Sequence, residues 1–199
     1  MTQTIDTTDI SASCRILGAL FYLSPADASV QPFLGFLAEH ALPEAWPFGA
    51  SLELERVQTL MAQDLDRDRL ARAYQRLFIG PDHLEAPPWG SVYMSEDSTL
   101  CADSLLDLRA FFAAEQVRLD MRLNEPEDHI GLLFWAIAWL ADQQSPAAIS
   151  ALLDKHMLPW SNTYFSRLAM AAEHPFYVGL SQLASLTLDA ISDAVAQAQ

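Results

Sequence analysis

Lysine is almost missing from this 199-residue sequence: Lys155 is the only one, and 11 basic residues stand against 26 acidic ones for a formal net charge of −15. A chain that neutralises phosphates needs clustered Lys and Arg, so nucleic acid is not an expected partner, and an anionic membrane surface is disfavoured for the same reason. A basic partner, in contrast, would be steered in over a long range. Cysteine is scarce too. Cys14 and Cys101 are the only two; they match no zinc or thiol-redox spacing, and the expectation is two buried free thiols in a reducing compartment. The longest apolar run, residues 130–141, falls short of the roughly 20 residues that a bilayer span requires. The opening "MTQTIDTTDI" has neither the basic nor the apolar part of a secretory signal. The expected protein is soluble and cytoplasmic, with no direct membrane insertion.

Enzyme signatures are absent as well. "WGSVY" lacks the second glycine of a nucleophile elbow, Lys155 lies in no glycine-rich phosphate loop, and no H-E-x-x-H pair occurs. His40, His83, His156 and His174 are scattered. The sequence predicts no catalytic residue, no metal and no cofactor.

What the chain does have is apolar residues at helical spacing throughout, with 51% hydrophobic content to build a core. The reading is all-α: a single domain over residues 1–199, a bundle of nine or ten helices, with residues 1–8 flexible. Asp9 is placed as the cap of a first helix carrying Ile10, Cys14, Leu17 and Phe21. Pro32 falls in the first turn of a short second helix, and "LPEAWPFGA" reads as a loop. Helices are expected from Ser51 to Met61, from Asp66 to Phe78, and from Leu105 to Leu119 with Leu105, Leu108, Phe112 and Gln116 on one stripe. Ser145 and Pro146 open another; "LPWSN" reads as a turn, and Pro175 begins a last helix to about Val195.

Two stretches stand out chemically. In "NEPEDHIGLLFWAIAWLAD", residues 124–142, three carboxylates, a proline and a histidine precede a run apolar on every side. Pro126 suits the first helical position, and Glu127 and Asp128 then fall in the first turn, where carboxylates complement the helix dipole. Glu125 and His129 are four apart, so they can meet on one helix face, and a carboxylate there would raise the histidine's pKa. An acidic cap, a ligand or peptide site built on open N–H groups, and an acid–base site all remain open at this point. The second stretch is "EAPPWGSVY". Its prolines lower the entropy lost on ordering, Gly90 permits a close backbone approach, and Trp89 and Tyr93 offer rigid rings. Beside it, "RDRLARAYQRLF" puts Arg69, Arg72 and Arg76 near one face, with Asp68 and Arg72 spaced to pair, and Leu70, Tyr74, Leu77 and Phe78 on the other.

Together, "RILGALFYLSP", "YQRLFIGP", "PPWGSVY", "NEPEDHIGLLFWAIAWLA" and "AEHPFYVGLSQLASLTL" resemble the twin-arginine proofreading chaperones of the TorD/DmsD group, over roughly residues 15–188. The resemblance implies an all-α cytoplasmic chaperone without turnover chemistry. Its client would be a molybdopterin-containing reductase subunit of the dimethyl sulfoxide reductase kind. Its partners would be that subunit's twin-arginine signal peptide and the twin-arginine (Tat) translocase, export being delayed until the cofactor is inserted. It places peptide binding on Tyr22, Tyr74, Leu77, Phe78, the loop Pro87, Pro88, Trp89, Gly90 and Ser91, and the cluster Glu125, Glu127, Asp128 and His129. The chain departs from the group at Asp82–His83, where a second tryptophan is usual, and at Tyr74, where relatives carry tryptophan.

The residues themselves suit that task, because an acidic mouth could hold the peptide's arginines while Trp89, Leu77 and Phe78 take its apolar part. An accessory protein that binds a nucleotide or cofactor at the same helix mouth is the alternative. A hydrolase using Glu125 and His129 is the third reading.

Overall fold

The computed structural model describes residues 6–81, 83–94, 102–119 and 123–197; Cys101 and Asp82 lie outside them. Ten continuous helical stretches form among these residues, with no strand, as the apolar spacing predicts. They fall into two compact units, both assembled from separate parts of the chain.

The first unit comprises Met1–Tyr22, Pro88–Asn162 and Ile191–Gln199. Here α1 (Thr7–Tyr22) packs along α8 (Ile130–Asp142), the most extensive helix pairing among the described residues. Two glycines make the crossing close. A Cβ on Gly18 would lie 2.2 Å from Trp135, and one on Gly131 would lie 2.9 Å from the Gly18 carbonyl and from Tyr22 Cβ. Phe21 stacks on Phe134 at 5.8 Å, the Trp135 indole donates to the Arg15 carbonyl at 3.1 Å, and Arg15 pairs with Asp142. The apolar run of α8 is buried except for its half-buried tryptophans, Trp135 and Trp139, as expected for a central helix. Cys14 is a buried free thiol whose pKa burial pushes up, so it is inert as a nucleophile. The unit also holds α6 (Ser91–Met94), α7 (Ala102–Ala114) and α9 (Pro146–Leu152).

The second unit comprises Leu23–Pro87 and Thr163–Ala190. It contains α2 (Gln31–Ala38), α3 (Leu42–Ala45), α4 (Ser51–Ala62) and α5 (Arg67–Tyr74), which continues as a π-helical turn, Gln75–Ile79. Most of α10 (Leu158–Ala171) and of α11 (Pro175–Gln197) belongs here too. Buried Gln58 ties the turn between α2 and α3 to α4, accepting from the Leu42 N–H at 3.2 Å and donating to the Leu37 carbonyl at 2.8 Å. The Trp46 indole donates to Thr187 at 3.0 Å and the Tyr177 hydroxyl to the Leu70 carbonyl at 3.2 Å. Such paired tips let large aromatic rings be buried without an orphaned donor.

Several expectations need correction. The first helix is capped by Asp6, which accepts from Thr8 N–H at 2.9 Å, and Asp9 sits inside the first turn, so Thr7 and Thr8 are helical rather than part of a flexible arm. The "LPEAWPFGA" loop contains the one-turn helix α3. The helix expected to reach Leu119 stops at Ala114, and Gln116 is exposed with a φ of 54° instead of extending the buried stripe of Leu108 and Phe112. "LPWSN" is no turn. The chain runs helical from Pro146 to Ala171, and a π-helical segment, Leu153–Met157, sits just before Pro159. That wider turn relieves the crowding a proline ring imposes on the preceding turn.

Candidate functional site

The acidic stretch does not start the helix. His129 is the N-cap of α8, with extended backbone (φ −60°, ψ 131°), and its Nδ1 accepts the Gly131 N–H at 3.1 Å. Pro126 to His129 form the turn before it, closed by the His129 N–H donating to the Pro126 carbonyl at 3.1 Å. Glu127 and Asp128 therefore lie outside the first helical turn. The placement of Pro126 at the first helical position is overturned because a long-range contact fixes the chain here. The Ile130 N–H donates to the Pro88 carbonyl at 2.8 Å and the Gly90 N–H to the Asp128 carbonyl at 3.2 Å, an antiparallel bridge joining Trp89 and His129.

This bridge consumes the helix start. The N–H groups of Ile130, Gly131, Leu132 and Leu133 donate to the Pro88 carbonyl, His129 Nδ1 and, twice, the His129 carbonyl. No N–H group of the first turn is left open for an anion, which removes the basis of the reading that builds a ligand site on open N–H groups.

His129 is 3% exposed, and burial lowers its pKa to about 3, so the ring is neutral. The expected upward push from Glu125 does not occur, because Glu125 is turned to another partner: its Oε2 accepts from the Trp89 indole at 2.9 Å. With Nδ1 accepting, the neutral ring carries its proton on Nε2. Tyr22 is fully buried and meets His129 edge-on at 5.2 Å; its hydroxyl donates to the Leu123 carbonyl and accepts the Leu123 N–H, both at 3.0 Å. The structure thus gives Tyr22 the work of holding the segment ahead of the turn.

Each carboxylate has a different partner. Asp128, 5% exposed, accepts the Ser91 N–H at 2.6 Å, which fixes the start of α6. Its other oxygen has no hydrogen-bond partner among the described residues. Glu127 receives both arms of Arg109 of α7, at 2.8 Å each, and that pairing holds the Glu127 carboxyl below its usual range. Trp89 is half-buried, while Pro88, Gly90 and Ser91 are buried. A Cβ on Gly90 would stand 2.7 Å from the Trp160 indole, so only glycine lets the loop lie this close. Trp89, Gly90, Ser91, Glu125, Glu127, Asp128, His129 and Tyr22 are therefore brought into one constellation within the first unit.

Tyr74, Leu77, Phe78 and Pro87 belong to the second unit and are buried there. Tyr74 stacks on Phe78 at 4.9 Å, and Phe78 meets Tyr177 at 5.6 Å. The arginine face of α5 is solvated, as read, but its pairs differ: Arg69 joins Asp64 and Asp66, and Arg76 joins Glu173 and the Ala171 carbonyl. Sequence reasoning missed Arg109, which lies on α7, 18 positions before Glu127. It sits on the exposed side of an amphipathic segment, so no local signal marks it.

Among the described residues no group of His, Cys, Asp and Glu could hold a metal, and no helix is long and apolar enough to cross a membrane.

Comparison with known proteins adds four findings. Residues 33–166 match the family described as "Nitrate reductase delta subunit". The Tat proofreading chaperone DmsD of Salmonella typhimurium (strain LT2) is 39% identical over 188 residues, covering 94% of this chain and 91% of that one. The chaperone protein YcdY of Escherichia coli (strain K12) is 32% identical over 187 residues, 92% of each chain. In fold, the chain is similar to the crystal structure of a proposed redox enzyme maturation protein from Archaeoglobus fulgidus, with a TM-score of 0.57, 16% identity and coverage of 89% and 93% of the two chains.

Proposed function

The chain belongs to the nitrate reductase delta subunit family, and we propose that it is a cytoplasmic maturation chaperone for a redox enzyme, one that binds the twin-arginine signal peptide of a molybdopterin-containing reductase subunit and delays its export until the cofactor is inserted. Relatives named as Tat proofreading chaperones support the chaperone class. The observation that carries the reading is the latched pair of segments. Trp89, half-buried, is fixed by Glu125 on a loop stitched to the acidic turn. A rigid aromatic surface beside carboxylates suits a peptide with a cationic head and an apolar body. An anionic ligand would meet neutral His129, three carboxylates and a helix start with no open first-turn N–H, so the geometry gives the nucleotide alternative no support.

Calorimetric titration tests this reading with a synthetic peptide carrying an Arg-Arg pair ahead of an apolar stretch, beside the same peptide with both arginines changed to glutamine. The expected result is binding at about micromolar Kd or tighter, near −8 kcal/mol, that is lost or strongly weakened by the glutamines. Equal binding of both peptides would leave only a generic hydrophobic surface, and no binding to either would remove the proposal.

A further inference from the structure

Glu125, Glu127 and Asp128 lie within four positions of one another, yet their surroundings assign them different work. Asp128 is buried and spends one oxygen on the Ser91 N–H at 2.6 Å. Glu125 holds the Trp89 indole at 2.9 Å. Both bonds build the loop, and withdrawing either carboxylate would unlatch it. Among the described residues Glu127 alone of the three is engaged by a guanidinium, with Arg109 donating two bonds of 2.8 Å in the planar geometry that carboxylates offer to arginine.

That pair is built to exchange. The Arg109 side chain is 51% exposed and that of Glu127 is 22% exposed, so water reaches both. An incoming guanidinium offers Glu127 the same two-bond grip, so exchanging one partner for the other costs little net energy. The buried Asp128 oxygen that has no hydrogen-bond partner among the described residues sits one residue away, and the Asp128 charge also acts on Arg109.

We propose that Glu127 is the carboxylate that receives a guanidinium of the bound peptide, and that Arg109 is its resident stand-in, displaced when the peptide arrives. Arg109 then sets affinity and specificity: it keeps Glu127 satisfied in the free protein and admits only a cation able to match its own two-bond grip. This inference rests on the signal-peptide reading above.

The test is calorimetry with the same two peptides on the full chain. Arg109→Gln should tighten binding of the arginine peptide by about 2- to 5-fold, the range expected for removing one exposed competing ion pair, and leave the glutamine peptide unchanged. Glu127→Gln should weaken the arginine peptide by about tenfold or more, as for loss of a hydrogen bond to a charged group. In the Glu127→Gln background, Arg109→Gln should give no gain. Exposed Arg118 of the same unit supplies the control, since Arg118→Gln alters net charge equally and should give less than half the gain. Circular dichroism melts confirm that each variant is folded.

Selective binding by the unaltered protein with no gain in Arg109→Gln overturns the inference alone. So does a gain that Arg118→Gln equals, or one that survives in the Glu127→Gln background. Failure of the unaltered protein to prefer the arginine peptide overturns the inference and the underlying reading together.

Discussion

His129 and His174 begin two helices in the same way, one in each unit. The first accepts the N–H of Gly131 at the head of α8 at 3.1 Å; the second accepts that of Phe176 at the head of α11 at 3.3 Å. Both are buried, and burial lowers the pKa of both. The difference lies at the other ring nitrogen. His129 faces Tyr22 edge-on, and desolvation alone sets its pKa near 3. His174 Nε2 stands 3.7 Å from Asp64, too far for a hydrogen bond but close enough for the charge to oppose the effect of burial. The same capping device is thus a fixed structural part in one unit and an electrostatically coupled one in the other.

Truncation gives the largest separation between the two. His129→Ala removes a cap, worth about 1 kcal/mol, together with a buried ring set edge-on to Tyr22 at 5.2 Å, for a total near 3–4 kcal/mol. His174→Ala should cost about 2 kcal/mol, since its ring meets Tyr177 edge-on at the longer distance of 6.2 Å and looks towards a half-solvated Asp64. His129→Asn, which retains a capping acceptor, should recover about 1 kcal/mol. Urea unfolding measures all three. Equal losses for the two alanine variants would mean that the caps, not their surroundings, carry the energy.

A smaller effect is the dependence on pH. For His129 the folded pKa lies near 3 against 6.5 in the unfolded chain, so below about pH 6.5 the unfolded state binds a proton that the fold refuses. Stability from this group is fully present above pH 6.5 and is lost as pH falls towards 3. Between pH 6 and 5 the slope should reach about 1 kcal/mol per pH unit from His129. His129→Asn should flatten the curve by that amount. An unchanged slope would show that His129 is protonated in the fold and that its cap is broken.

These effects bear on what the sequence discloses. The helical pattern, the buried course of α8 and the position of Pro175 follow from local spacing, because burial of an apolar face is written at 3.6-residue intervals. The start of α8 does not follow. Proline at N1 followed by two acids is a sound local signal for residues 126–128, but Pro88 and Gly90 bond to Ile130 and Asp128 from far back in the chain and shift the helix start to Ile130. The candidate site is legible as a list and not as roles. "PPWGS" and "EPEDH" are conspicuous, whereas the partner of each carboxylate depends on contacts that no spacing records. Arg109 is the clearest case. Pro159 shows the converse, a strong local breaker absorbed by a π-helical turn.

Asp64 offers the finest probe of the comparison. Burial lowers the His174 pKa first; Asp64 raises it, Arg69 lowers it and Asp66 raises it again. Asp64 is also tied to Arg69 at 3.2 Å. In Asp64→Asn the largest opposing charge is gone, so the His174 ring should titrate at lower pH than in the unaltered protein. Stability at pH 7 should change by less than about 0.5 kcal/mol, because the Asp64–Arg69 pair lies at the surface, with the Arg69 side chain 61% exposed. The loss of stability on acidification should begin at the same unfolded pKa but extend further, since the folded ring now resists protonation longer. Following the Cε1–H resonances of both histidines by NMR separates the two caps in a single sample. His129, with no charge against it, should stay neutral to about pH 4 in either protein, and so serves as the internal reference. If the His174 midpoint stays where it was, Asp64 is not coupled to the ring, and the two caps differ in burial alone.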